Sequence, residues 1–169
     1  MPGIVYAYTL GMAPWSKEST RRHWISYMRG VAFHMGIFLG LVLLLISPWS
    51  TGLPHFGRSI LGVGTAVGAV FGLMGLAARY MERNLKSLST PDDYASVLLV
   101  SLFLASSSLW LFNPSSLPVF YGSSALMLVY APFSKIRHCL YFGYSRLFYG
   151  KVIGSRAIFP HSQQEGERI

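Results

Sequence analysis

Four apolar stretches, near residues 30–49, 57–78, 95–112 and 117–134, alternate with short polar segments along the chain. A helix needs about 20 mainly apolar residues to cross about 30 Å of hydrocarbon. In lipid its backbone groups must be satisfied within the helix. The first two stretches meet that length comfortably, the third is slightly short, and the fourth must run through Pro132 to gain length. The pattern predicts an all-α integral membrane protein, a bundle of four transmembrane helices. Its expected divisions are an interfacial N-terminal segment (1–28), the four-helix domain (29–149) and a C-terminal tail (150–169).

Local signals refine the elements. Residues 16–28 suit a short amphipathic helix on the membrane surface, and Ser47-Pro48-Trp49 closes the first span with Trp49 as interfacial anchor. Thr90 suits an N-cap, Pro91 the first helical position, and Asp92 and Asp93 the positive end of a helix dipole. The two aspartates therefore read as caps rather than proton donors. The fourth span is expected to bend at Pro132 and continue as an aromatic-rich interfacial helix through Tyr149. Ser106, Ser107 and Ser108 are placed to hydrogen-bond between helices. Gly64, Gly68 and Gly72, four apart, form a stripe that lets another helix, or a flat macrocycle, approach the backbone closely.

Composition agrees with a membrane chain. Of 169 residues 52% are hydrophobic and 12% charged, about half the charged share of a soluble domain. Four spans and short tails leave no room for a separate soluble module, so such a module is expected on another chain. The net charge of +8 would suit nucleic acid, but its distribution does not. Lys17, Arg21, Arg22 and Arg29 precede the first span, and Arg79, Arg83 and Lys86 lie between the second and third. Lys135, Arg137, Arg146, Lys151, Arg156 and Arg168 follow the fourth, and Arg58 alone falls on the opposite side. This asymmetry predicts cytoplasmic termini, with part of the charge available to a soluble partner or anionic lipid. Tyr6, Tyr8 and Trp15 read as an interfacial lead-in, because MPGIVYAYTLGMAPW lacks the basic and continuous apolar regions of a secretory signal. Cys139 is the only cysteine, which excludes a CxxCH haem attachment or a thiolate-held iron–sulfur cluster within the chain.

The remaining chemistry lies in histidines. His34, in VAFHMGIF, and His138, in APFSKIRHCLYFG, mark ends of spans one and four that emerge on the same membrane side. A buried imidazole pair facing across a bundle can hold one b-type haem between two axial nitrogens. Arg29, Lys135 and Arg137 lie close enough in sequence to meet its propionates. Read singly, His34 also suits a helix–helix hydrogen bond and His138 an interfacial surface position. His23, eleven residues before His34 and roughly on its face, is a second ligand candidate or a solvated residue. His55, in the outer loop, and His161, in the tail, have no intramembrane partner.

From AFHMG and PFSKIRH the chain, over about residues 27–156, resembles the respiratory nitrate reductase gamma subunit, a dihaem membrane cytochrome b. It is also similar to the membrane cytochromes of heterodisulfide reductase and of the sulfite-reductase-associated complex. The resemblance covers the last four of that subunit's five spans. It implies that His34 and His138 match the ligands of the inner haem. The outer pair falls on Leu44 and Phe120, neither of which can ligate iron. The implied protein is a cytochrome b subunit of a prokaryotic cytoplasmic membrane, carrying one haem b per chain. It would pass electrons between menaquinone or another quinone and an iron–sulfur subunit docked on the cytoplasmic side, with no nucleic-acid partner. Because quinol is oxidised beside the outer haem in that family, any quinone is expected near the retained haem, with Tyr27, Tyr141, Tyr144 and Arg137 as candidate lining residues. The alternatives are a haem-free membrane anchor for an oxidoreductase and, last, a small transporter, which should carry ionisable groups at mid-span.

Overall fold

Serine hydroxyls that bond back to their own helix, and glycines that let helices touch, shape this chain. The structure is a computed structural model and describes residues 2–9, 13 and 23–152. Trp15, Lys17, Arg21, Arg22, Arg156, His161, Arg168 and most of the expected 16–28 helix lie outside them. The described residues form α1 (Pro2–Tyr8), α2 (Trp24–Ile46), α3 (His55–Met81), α4 (Arg83–Leu88), α5 (Pro91–Phe112), α6 (Leu117–Tyr130) and α7 (His138–Val152), joined by 3-10 turns. Four segments are long and apolar enough to cross a membrane: Trp24–Trp49, His55–Met81, Pro91–Phe112 and Pro114–Phe133. The protein is an all-helical multi-pass membrane protein, as the apolar pattern predicts.

The chain divides into two compact units, Ile25–Ile136 and a second made of Met1–Trp24 with Arg137–Ile169. This differs from the expected 29–149 domain, because α7 groups with the N-terminal segment rather than with the spans. The cause lies at Pro132. Instead of bending and continuing, the helix stops at Tyr130 and gives way to 3-10 turns at Ala131–Phe133 and Lys135–Arg137. Proline supplies no N–H to an i−4 carbonyl. Ser134, in extended backbone, then turns the chain, accepting the Ile136 N–H on its hydroxyl at 3.2 Å.

Within Ile25–Ile136, α5 is the central helix: 56% of its apolar window is buried, against 22–28% for the other spans. Of its buried hydroxyls, Ser101 Oγ has no hydrogen-bond partner among the described residues, whereas two others bond back to their own helix. Ser106 and Ser107 donate to the Phe103 carbonyl at 2.8 and 2.7 Å, and Ser106 also pairs with Ser123 of α6 at 2.5 Å. The expected interhelical bond of the serine run is therefore present at Ser106.

Glycine sets the α2–α3 separation. A Cβ at Gly36 would lie 2.7 Å from the Gly68 Cα, and one at Gly68 would lie 2.8 Å from the Gly36 Cα. Neither side chain fits, so the backbones meet directly. Gly72 takes Phe33 and Ser101 against its α-carbon, while Gly40 faces Phe103 and Leu104. The stripe at 64–72 thus serves helix packing, not a macrocycle notch.

In the second unit α1 lies on α7. Tyr8 donates its hydroxyl to the Gly143 carbonyl at 2.7 Å and sets its ring edge against Phe142. A Cβ on Gly150 would meet the Ile4 Cα at 2.7 Å, so a glycine is required at that crossing too. The N-terminal lead-in is therefore a docked helix, with α7 turning Tyr141, Tyr144, Phe148 and Tyr149 outward.

Candidate functional site

Helix α2 has two faces. Gly36, Gly40 and Leu43 are buried against the bundle, whereas Met35, Phe38, Val42 and Leu45 point outward. His34 stands four residues before Phe38 on that outward side and is exposed. This corrects the expected imidazole buried inside the bundle: α2 turns its glycines inward instead, because only they allow the contact with α3. The ring is nonetheless oriented. Its Nδ1 lies 2.7 Å from the Gly30 carbonyl oxygen. A carbonyl can only accept, so Nδ1 is the donor in this contact. Histidines that ligate metals are commonly held in this way.

Phe33 fixes the depth of His34. Phe33 packs against Gly72 and Ser101, the latter midway along α5, roughly 14 Å of helix rise from Asp92. Arg29, half-buried with Nε 3.7 Å from the Cβ position of Gly75, lies five residues from His34, about 7.5 Å along α2. Arg29 therefore faces α3, not the outward side that carries His34.

Lys135 is engaged elsewhere. Its Nζ donates to both carboxylate oxygens of Asp93 at 2.8 Å, and its backbone N–H donates to Asp92 Oδ2 at 2.8 Å. Tyr130 donates its hydroxyl to Asp92 Oδ1 at 2.6 Å. The Thr90 N–H and hydroxyl donate to Asp93 Oδ2 at 2.7 and 2.9 Å. The aspartates cap α5, as their position predicts, and they also bind the end of α6 to the start of α5. Sequence reading missed this second role, because Tyr130 and Lys135 are 38 and 43 residues from Asp92. At the same end Tyr94 donates to the Arg79 carbonyl at 3.2 Å, and Arg79 donates to Ser89 at 3.3 Å.

His138 is the first residue of α7, in the other unit, and is exposed, as is its neighbour Arg137. His23 is an exposed turn residue just before α2, and His55 is the exposed first residue of α3. Tyr27, among the candidate quinone-lining residues, is half-buried on α2, while Tyr141 and Tyr144 are exposed on α7.

Leu44 and Phe120, the positions that the resemblance sets against outer-haem ligands, are taken up by packing. Phe120 is fully buried and stacked on Trp110, with ring centroids 4.8 Å apart and planes 9° apart; Phe103 lies 6.0 Å away on a second stack. Leu44 packs against the same cluster, beside fully buried Leu43. The other missed signal is Gly36 and Gly40, a GxxxG spacing visible in HMGIFLG beside His34.

Comparison with family models, with curated proteins and with solved structures finds no match for this chain. The fit of a b-type haem therefore rests on the donors. Among the described residues no three His, Cys, Asp or Glu side chains gather into a metal site, but axial ligation needs only two imidazoles. His34 supplies an oriented imidazole. The residues fit a group held outside the α2–α3 seam, not one held within the core.

Proposed function

We propose that this chain is a membrane cytochrome b subunit carrying one haem ligated by His34 and His138. It would transfer electrons between a quinone and an iron–sulfur subunit at the cytoplasmic side. The observation that carries this reading is the His34 ring itself: an imidazole at mid-helix depth, oriented by the contact of its Nδ1 with the Gly30 carbonyl. Placing a histidine at such depth is costly without a polar or metal partner. Bound haem would supply the one-electron redox chemistry. His34 would supply one ligating nitrogen and His138 the other, with Arg29 and Arg137 as the candidate cations for the propionates; Lys135 stays with Asp93. The stacked Phe120 supports a single haem, because the level that the resemblance assigns to a second one is filled. The charge asymmetry across the loops argues for both termini inside, and the resemblance to the nitrate reductase gamma subunit suggests the cytoplasmic membrane and the quinone and iron–sulfur partners.

The test is a reduced-minus-oxidised spectrum and a pyridine haemochrome assay on the purified membrane complex. One haem per chain is expected, with the low-spin spectrum lost in His34→Ala and in His138→Ala and kept in His55→Ala. Two haems per chain would implicate His23. A haem-free protein would establish the alternative, a membrane anchor for a soluble oxidoreductase. One specific observation favours that alternative: the core of Ile25–Ile136 is closed by direct backbone contact and stacked rings, with His34 on its outer surface.

A further inference from the structure

A groove of about 700 Å³ runs along the outside of the α3–α5 seam, at the end where α3 finishes and α5 begins. Leu73, Leu76, Ala77, Tyr80, Ala95 and Leu98 are among its lining residues, and its walls are almost wholly apolar. Both helices are membrane spans, so its length faces hydrocarbon. Its mouth differs. Tyr80, which lines the groove, carries the Lys86 ammonium over its ring at 5.0 Å. The exposed charged residues of the adjoining turn and α4 are Glu82, Arg83 and Lys86, and half-buried Arg79 lies just before them. Lys135 neutralises Asp93, whereas Asp92, held by the Tyr130 hydroxyl and the Lys135 backbone N–H, keeps its charge. Arg79, Arg83 and Lys86 thus stand against Glu82 and Asp92, which leaves this end net cationic.

We infer that this groove is a binding site for an anionic phospholipid, with an acyl chain along Leu73, Ala77 and Leu98 and the phosphate at Lys86. An apolar channel that ends in a cation at the depth where a span gives way to its loop matches the two halves of such a lipid. Neither half alone selects it: the groove would take any chain, and the cations any anion. A basic residue near an anionic membrane surface is worth about fivefold in affinity.

The full chain, purified in detergent, would be titrated by native mass spectrometry with phosphatidylglycerol and with phosphatidylcholine of identical acyl chains. Phosphatidylglycerol should bind more tightly. Lys86→Gln should weaken it about fivefold, the worth of one cation, and leave phosphatidylcholine unchanged. Ala77→Leu should weaken both lipids by filling the groove, and Arg58→Gln, near the opposite end of α3, neither. Equal binding of the two lipids, or an unaltered preference in Lys86→Gln, overturns the assignment. So does displacement of phosphatidylglycerol by equimolar menaquinone, which would make the groove a quinone site. Lys86 is exposed on α4, so its variant folds and the outcome reports on binding alone.

Discussion

The two ends of the Ile25–Ile136 bundle solve one packing problem with different chemistry. At the Asp92 end, carboxylates, a phenol, a lysine and backbone N–H groups form a closed set of charge-assisted hydrogen bonds that ties α5 to α6. At the Trp110 end, shape does the work: Phe103, Phe120 and Trp110 stack, and Leu43 and Leu44 pack against them. Lipid gives no hydrophobic reason for helices to associate, so each contact must come from close packing or polar bonding. Polar bonding suits the end near water, where Asp92 is half-buried and Lys135 exposed, and stacking suits the end where a buried charge would be costly. The candidate ligand His34 lies between these regimes, at the level where glycines replace both.

The difference can be broken most strongly at the rings. Phe120→Ala should destabilise the bundle by about 3–5 kcal/mol through lost contacts and a residual cavity, read as a lowered thermal or denaturant midpoint in detergent. Raising salt should leave that loss unchanged. If Phe120→Ala is neutral, the stack is incidental.

Gly68→Ala comes next. The added methyl must displace the Gly36 backbone or push α2 away, at a cost of about 1–3 kcal/mol. Where haem is present, its spectrum should change too, because α2 carries His34. Gly30→Ala, with nothing within 4 Å of its new methyl, should be tolerated.

Asp92→Ala removes the acceptor for Tyr130 and for the Lys135 N–H, at about 1.5 kcal/mol. Asp93→Asn should cost less than Asp92→Ala, since the Lys135 side chain is 54% exposed and solvent screens such a pair. The Asp93→Asn loss should shrink as ionic strength rises, unlike that of Phe120→Ala. Equal salt responses at the two ends would erase the distinction between them. Ser106→Ala is the smallest expected change, about 0.6 kcal/mol, the average for a hydrogen bond between membrane helices.

Much of this was readable along the chain. Runs of about 20 apolar residues fix helical spans, because hydrocarbon leaves a backbone few alternatives. The Thr90-Pro91-Asp92-Asp93 start was legible because caps act within four residues. The fourth span's end was misjudged: Pro132 signals a break or a bend equally, and the break is held by a bond from Lys135 back to Asp92. The pairing of His34 with His138 on one membrane side named a site candidate but did not say which face of α2 carries the ring. A spacing of four gives the neighbours on a helix surface, not which side of that surface meets the next helix.

The sequence by itself determined that the chain spans a membrane four times, where the helices start, and that Leu44 and Phe120 cannot ligate iron. Those properties depend on side-chain chemistry and local hydrogen bonding. Only the tertiary structure decided that Gly36 lies on Gly68 and so turns His34 outward, that Phe120 fills its level with a stacked ring, and that Lys135 belongs to Asp93. Each of these is a choice of partner among residues 10 to 42 positions apart, settled by which helix faces fit together.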